Sequence, residues 1–323
     1  MKKLIALLLA SLLLLSFAGC TPKTPVDDTV VRVGSLKGAT SIGLSGIIND
    51  KNNSNTELNY EFVMETAADA MAAKIINKEV DIALIPANLA SVLYNKTGGK
   101  ISVINLNTLG VLYFVTADNS LTTIESLKGK TIYLTGKGTT PDYSLQYVLG
   151  LYSIGLDDVK LEYKSEATEV LSALSADSTA VGLLPQPFAT AATIQNSNLK
   201  ITIDLSKAWT AKEPNAATVT GVTVVRNEFL EQHTSLVKKF LEEHKKSVEF
   251  VEQDVQSAAK IVTELGIIAK EPIAIKAIPY CSTVSVTGAQ MKEKLSAYLK
   301  VLYDMDKASV GGNLPADEFY YIP

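Results

Sequence analysis

Residues 109–116 read LGVLYFVT, a β-branched and aromatic run that no helical pattern follows. Such a run predicts a strand, and the missing helix after it marks a place where the chain leaves one α/β unit for another. Upstream, strand-like runs at 30–34, 59–64, 80–85 and 101–106 alternate with helical spacing of apolar residues over 41–49, 67–77 and 87–94. Downstream the rhythm restarts, with strands at 130–134, 159–163, 180–184 and 199–203 and helices at 142–151, 167–176 and 188–195. A second long β-branched run, TVTGVTVVR at 218–226, then reads as the return crossing. Alternation of this kind predicts parallel or mixed sheets. The expected fold class is therefore α/β, with two α/β lobes joined by two crossing strands. Lobe one takes residues 30–112 and 222–323, and lobe two takes 113–221. The remainder is helical, 228–265 with a break and 289–303. Phe229, Val237, Phe240, Leu241, Val248, Val251, Val255, Ile261 and Leu265 recur at three- and four-residue steps as a core-facing stripe.

The N-terminus addresses the compartment. Lys2 and Lys3 precede an apolar run at 4–17, and Ala18-Gly19-Cys20 places two small residues before a cysteine. This is the three-part form of a secretory signal, and the run is shorter than the roughly 20 apolar residues a spanning helix needs. Residues 1–19 read as a signal peptide, Cys20 as the lipidated residue, and 20–29 (CTPKTPVDDT) as a polar tether. Plain secretion without the lipid is the alternative. The expected location is extracytoplasmic, lipid-anchored to the cell membrane, with the membrane met through the lipid alone.

Composition narrows the partners. Loss of residues 1–19 removes two lysines, leaving 28 basic against 34 acidic residues and a net charge of −6. An acidic body excludes nucleic acid, whose phosphates need a basic face. Beyond Cys20 the one cysteine is Cys281, read as a buried structural thiol, since one thiol forms neither a disulfide nor a zinc cage. The two histidines, His233 and His244, stand eleven apart on one predicted helix, with no third ligand for a metal and no nucleophile set around them. No metal, no cofactor and no enzyme activity are expected. The two arginines, Arg32 and Arg226, sit beside valines in strands, away from any turn where an arginine fork would grip an α-carboxylate.

One short pattern occurs once per series. Lys37-Gly38-Ala39-Thr40-Ser41 and Lys137-Gly138-Thr139-Thr140-Pro141 each follow a first strand and precede a helix. A turn ending in Thr or Ser offers a hydroxyl and unpaired N–H groups suited to a carboxylate, sulfonate, phosphate or carbonyl oxygen. Ser35, Lys37, Thr40 and Ser41 in lobe one, and Lys137, Thr139 and Thr140 in lobe two, are the first candidate ligand-binding residues. The same residues are equally legible as helix caps. Thr66, Asn88 and Asn107 occupy later strand ends of lobe one. Gln186 stands between Pro185 and Pro187 at a strand end of lobe two. Trp209, the sole tryptophan, lies in the polar segment 207–217, placed either to stack on an aromatic ligand or to bury itself in its own lobe. Open sheets bind ligands at the carboxyl ends of their strands, where these turns lie.

The segment 126–149 (SLKGKTIYLTGKGTTPDYSLQYVL) resembles the corresponding segment of ABC importer substrate-binding proteins, as do 79–96 (EVDIALIPANLASVLYNK), 183–192 (LLPQPFATAA) and 309–321 (SVGGNLPADEFYY). The branch resembled is the nitrate, sulfonate and taurine type, which also contains receptors for a thiamine pyrimidine precursor. The resemblance implies a type II periplasmic-binding-protein fold that closes on a small-molecule solute, anionic or heteroaromatic. It also implies docking, as a monomer, on an ABC permease served by its ATPase. It places the cleft at Thr40–Ser41, Thr66, Asn88, Asn107, Thr139–Thr140 and Gln186. Related sequences carry Glu where Gln186 stands, so a charge is missing there. An enzyme or a lipid-anchored sensor on the same fold is the competing expectation.

Overall fold

A computed structural model describes residues 27–214 and 216–323; the leader and Cys20 lie outside them. Four strands come first: β1 (Val31–Leu36), β2 (Tyr60–Glu65), β3 (Ile82–Pro86) and β4 (Ile101–Leu109). Five follow: β5 (Leu112–Thr116), β6 (Thr131–Thr135), β7 (Lys160–Lys164), β8 (Val181–Pro185) and β9 (Lys200–Asp204). The last two are β10 (Val219–Arg226) and β11 (Thr283–Val286). They form two separate sheets, ordered β11-β4-β10-β3-β1-β2 and β7-β6-β8-β5-β9. Within the first, β1 runs parallel to β2 and β3, while β10 is antiparallel to β3 and β4. Within the second, β6 is parallel to β7 and β8, and β5 is antiparallel to β8 and β9. The two-sheet α/β expectation holds.

The stretch 109–116 differs in detail from its reading as one crossing strand. Strand β4 runs through Leu109 and β5 starts at Leu112, so only Gly110 and Val111 cross between sheets. The return crossing is likewise the short link 213–218, and β10 lies wholly inside the first sheet. Sterics explain the break. A Cβ added at Gly110 would overlap the hydroxyls of Ser206 and Thr218, because the outgoing link passes directly against the helix Leu205–Lys212 and the end of the returning link. Gly110→Ala is expected to cost about 1–3 kcal/mol by overpacking, read as a lowered denaturation midpoint. A change inside ±0.5 kcal/mol, typical of ordinary surface sites, would show that the crossing is not tight.

The region after β10 breaks twice, at His233 and Asp254, giving helices Asn227–Gln232, Thr234–Gln253 and Val255–Glu264. Asp254 makes the second break a cap, its carboxylate accepting from Ser257 N at 3.0 Å. Six of the nine residues of the predicted stripe are buried, and Val255, Ile261 and Leu265, beyond the break at Asp254, are half-buried. The C-terminal helix Gly288–Met305 packs against both sheets' helices, including Ala87–Thr97 and Thr140–Leu151. One apolar cluster accordingly runs from Met71 and Leu106 of the first sheet's side through Tyr298 to Trp209 and Leu134 of the second's. Cys281 is buried, its Sγ donating to Ala277 O at 3.2 Å, and burial pushes its thiol up to about 12.

Candidate functional site between the two sheets

Topology decides which edges adjoin each other. β4 delivers the chain from the carboxyl edge of the first sheet, and two residues later β5 enters the second sheet beside the carboxyl end of β8, where Leu112 pairs with Pro185. Strands β1, β2 and β3 end at the same edge as β4, and β6, β7 and β9 end at the same edge as β8. A two-residue link spans at most about 11 Å between its flanking Cα atoms. The strand-end turns of the two sheets are therefore brought to adjoining edges, and the space between those edges is the candidate crevice.

On the first sheet, Gly38 takes φ 136°, a conformation open to glycine, and turns the chain into the short helix Ala39–Ile42. Thr40 and Ser41 are buried and point inward: Ser41 Oγ donates to Leu36 O at 2.5 Å and meets Ser35 Oγ at 2.8 Å, while Thr40 Oγ1 donates to Leu36 O at 3.3 Å. Ser35 is buried beneath them. These hydroxyls shape the corner, and the exposed group upon it is Lys37. Asn107 is also interior, donating to Thr223 Oγ1 at 3.3 Å and accepting from Thr108 Oγ1 at 2.8 Å. Thr66 is exposed at the end of β2. Asn88 reaches for the C-terminal segment instead. With Ser91 and Asn95 it forms a ladder along one helix face, donating to Ser309 O, Val310 O and Asn313 O.

On the second sheet, Gly136 and Gly138 both have positive φ, and the turn is organised by Asp142. This buried carboxylate accepts from Gly138 N at 2.8 Å, Gln146 Nε2 at 2.7 Å and Tyr163 OH at 2.8 Å. Thr139 closes the turn onto Gly136 O at 2.6 Å. Lys137 and Thr139 remain exposed, with the Lys137 ammonium 5.3 Å above the Tyr163 ring. Thr140 is half-buried and faces the hydroxyl of Tyr298, which Ser144 also approaches. Tyr143 OH donates to Asp306 Oδ2 at 2.7 Å, and burial together with that carboxylate pushes the phenol up to about 12. Contacts to Tyr298 and Asp306, more than 150 residues away, leave no local trace in the sequence.

Gln186 is buried at the end of β8. Its backbone N donates to Val111 O at 2.9 Å in the crossing, and its Oε1 accepts from Thr190 N at 3.3 Å. Its Nε2 has no partner among the described residues, an unused buried donor at the crevice edge. Three lysines at strand-end turns, Lys37, Lys137 and Lys164, have no carboxylate within salt-bridge distance among the described residues, whereas Glu65 at the same edge is paired with Lys74. Of the two places open to Trp209, the structure has the buried one. The polar segment is a helix, Leu205–Lys212, capped by Asp204, and the indole is fully buried. Its Nε1 donates to Glu213 Oε2 at 2.9 Å and its ring lies 4.5 Å from Tyr147 and 6.0 Å from Tyr298, so no face is left for a ligand.

The other titratable groups are elsewhere. His233 is not on the helix of His244 but in the break before it, its Nδ1 2.7 Å from Asp27 Oδ2. His244 is enclosed against Asn105 and Ser285, and burial lowers it to about 4. Both arginines clamp Asp81 at the opposite end of the first sheet. Among the described residues no group of three His, Cys, Asp or Glu is arranged to hold a metal ion, and no helix is long and apolar enough to cross a membrane.

Comparison with known proteins adds the fold's relatives. Residues 112–258 match the family model described as NMT1/THI5 like. A search of curated proteins returns no significant match. Among solved structures the chain is similar to an ABC transporter protein of Parabacteroides distasonis, at 24% identity and TM-score 0.75, covering 91% of this chain and 99% of that one. It is similar to the periplasmic aliphatic sulphonate binding protein SsuA of Escherichia coli, at 13% identity and TM-score 0.71, with 91% and 92% covered. The periplasmic nitrate-binding protein NrtA of Synechocystis aligns at 10% identity and TM-score 0.51, with 73% and 66% covered. The fold is that of the periplasmic binding proteins.

Proposed function

We propose that this chain is the extracytoplasmic solute-binding component of an ABC importer. In this reading it captures a small organic solute, anionic or heteroaromatic, between its lobes and delivers it to a membrane permease, held at the membrane by a lipid on Cys20. The observation that carries the reading is the adjoining of two strand-end edges, each bearing a Lys-Gly-x-Thr turn, at a crevice crossed by two short links. The candidate contacts are Lys37 and Thr66 on one side and Lys137, Thr139 and the free Gln186 amide on the other. Unpaired ammonium groups and an unpaired amide donor favour a guest rich in acceptor oxygens or nitrogens. A solute touching both edges binds the closed form better than the open one and so shifts the population toward it, bending at Gly110–Val111 and 213–218. The P. distasonis and E. coli relatives support the kind of partner, and the leader supports the compartment.

An enzyme on this fold would need a reactive group in the crevice. His244 and Cys281 are enclosed in the first lobe and His233 is bound at its surface, which favours binding over chemistry. The test is one-to-one solute binding by calorimetry and thermal shift across sulfonates, nitrate and pyrimidines. A change in Trp209 emission is expected on closure, because that ring packs against Tyr298 of the C-terminal helix. Lys37→Ala and Lys137→Ala are each expected to weaken binding about tenfold, the scale of one charge-assisted hydrogen bond. A library that gives no shift at all would sink the receptor reading, and undiminished affinity in both variants would remove the lysines from the site.

A further inference from the structure

The first sheet has a second end, far from the crevice, and it carries a basic groove. Ile75, Ile76 and Ile101 supply an apolar floor, and the groove encloses about 550 Å³. Lys78, Lys96, Lys100 and Arg226 line its rim, with Glu228 as the one acidic lining residue. Glu228 is already shared between Lys78 at 2.6 Å and Arg226 at 3.2 Å, and Arg226 also grips Asp81 at 2.6 Å. Lys96 and Lys100 are exposed with no carboxylate partner among the described residues, and Ile76 is 53% exposed beside them. The groove lining is net basic, four cationic side chains against Glu228, on a chain whose net charge is negative. Its apolar floor excludes a purely electrostatic ornament.

The groove is also where the chain enters the fold. Strands β1, β3 and β4 begin at this edge and β10 ends there, at Arg226. Asp27 is bound to His233, at the far end of the six-residue helix Asn227–Gln232 whose first residue lines the groove. That helix is about 9 Å long. Seven residue steps separate Asp27 from Cys20, a reach of at most about 25 Å. The crevice lies a whole strand away, about 30 Å for the nine residues of β4.

We infer that this groove is a docking face for the anionic headgroups of a bilayer, a resting seat for the first lobe that the chain leaves when its crevice is presented to the permease. Lysines at the rim meet the headgroup charge, and Ile76 enters the interfacial layer, the combination that basic amphipathic surfaces use. The inference goes beyond solute capture and does not depend on which solute is bound.

The test uses the full processed chain with vesicles of phosphatidylcholine alone or with a third of it replaced by phosphatidylglycerol, reading backbone hydrogen exchange. Exchange at 75–78 and 96–101 is expected to slow about fivefold on the anionic vesicles only, the factor corresponding to one basic residue near a charged surface. High salt should reverse the slowing. The double variant Lys96→Glu, Lys100→Glu should lose it while still floating with vesicles. Equal exchange on the two vesicle types, or slowing confined to the Gly136–Thr139 turn, would overturn the inference. Failure to float with phosphatidylcholine would count against the lipid on Cys20 alone. In that event co-flotation with anionic vesicles still supports the docking face, and its absence overturns it. Solute binding is measured separately, so the receptor reading stands or falls on its own assay.

Discussion

Asp81→Asn is expected to lower stability by about 3–5 kcal/mol, the range for removing one partner from a buried ion pair. The carboxylate is 2% exposed and receives Arg32 Nε at 2.8 Å, Arg32 Nη2 at 2.7 Å and Arg226 Nη2 at 2.6 Å, besides the Arg32 backbone N–H at 3.1 Å. Asparagine keeps the shape and one acceptor but leaves Arg32 without its carboxylate partner and Arg226 with Glu228 alone. Burial by itself would raise the Asp81 pKa. The hydrogen bonds from Arg32 and Arg226 outweigh it and hold the carboxyl below its ordinary range. A carboxyl depressed in the folded state adds stability that is fully present above the unfolded value, near 3.9, and disappears as pH falls through the lower folded value. The wild-type chain should therefore show an acid-sensitive component below about pH 4 that the variant lacks. Urea denaturation at neutral pH and at pH 3 checks both parts. Replacing all three residues with apolar ones of similar volume should cost far less than the single change. An unaltered midpoint in Asp81→Asn would mean the two arginines are solvated in spite of the geometry.

That triad illustrates what the sequence could and could not convey. Arg32 and Arg226 were legible as strand residues away from the ligand turns, and the structure agrees. Their common partner was not legible, because Asp81 is 49 positions from one and 145 from the other. Strand runs such as 130–134 carry their own signal, since β-branched residues and turn punctuation are local, and the adjoining edges then follow from connectivity. Candidate contacts are harder. Thr40 and Ser41 read equally as ligand contacts and as caps because a hydroxyl serves either purpose; only the position of Leu36 O shows them turned inward. Asn88 looked like a strand-end amide, and its ladder with Ser91 and Asn95 against 309–313 requires a contact more than 200 residues long. β11 has no strand signal of its own, since four residues ending before Thr287 carry too little alternation to stand out.

The polar segment around Trp209 leads to the second large effect. Lys207, Lys212 and Glu213 make that segment look solvated, yet both lysines belong to a helix capped at Asp204, whose carboxylate takes Ser206 N at 2.9 Å and Lys207 N at 3.1 Å. Its buried face holds Leu205, Ala208 and Trp209. Trp209→Ala should cost about 3–5 kcal/mol, the range for deleting a large aromatic side chain from a core, with Glu213 losing one of the two donors, Trp209 Nε1 and Tyr147 OH, that fix it. Because Glu213 opens the return link, this variant should also loosen the join between lobes, seen as faster hydrogen exchange over 213–218. Trp209→Phe separates packing from recognition. It keeps most of the buried ring and should cost about 1 kcal/mol for the lost hydrogen bond, while solute affinity stays within twofold. A large loss of affinity in a Trp209→Phe protein that is still stably folded would place the indole in the crevice after all, and with it a quite different wall for the guest.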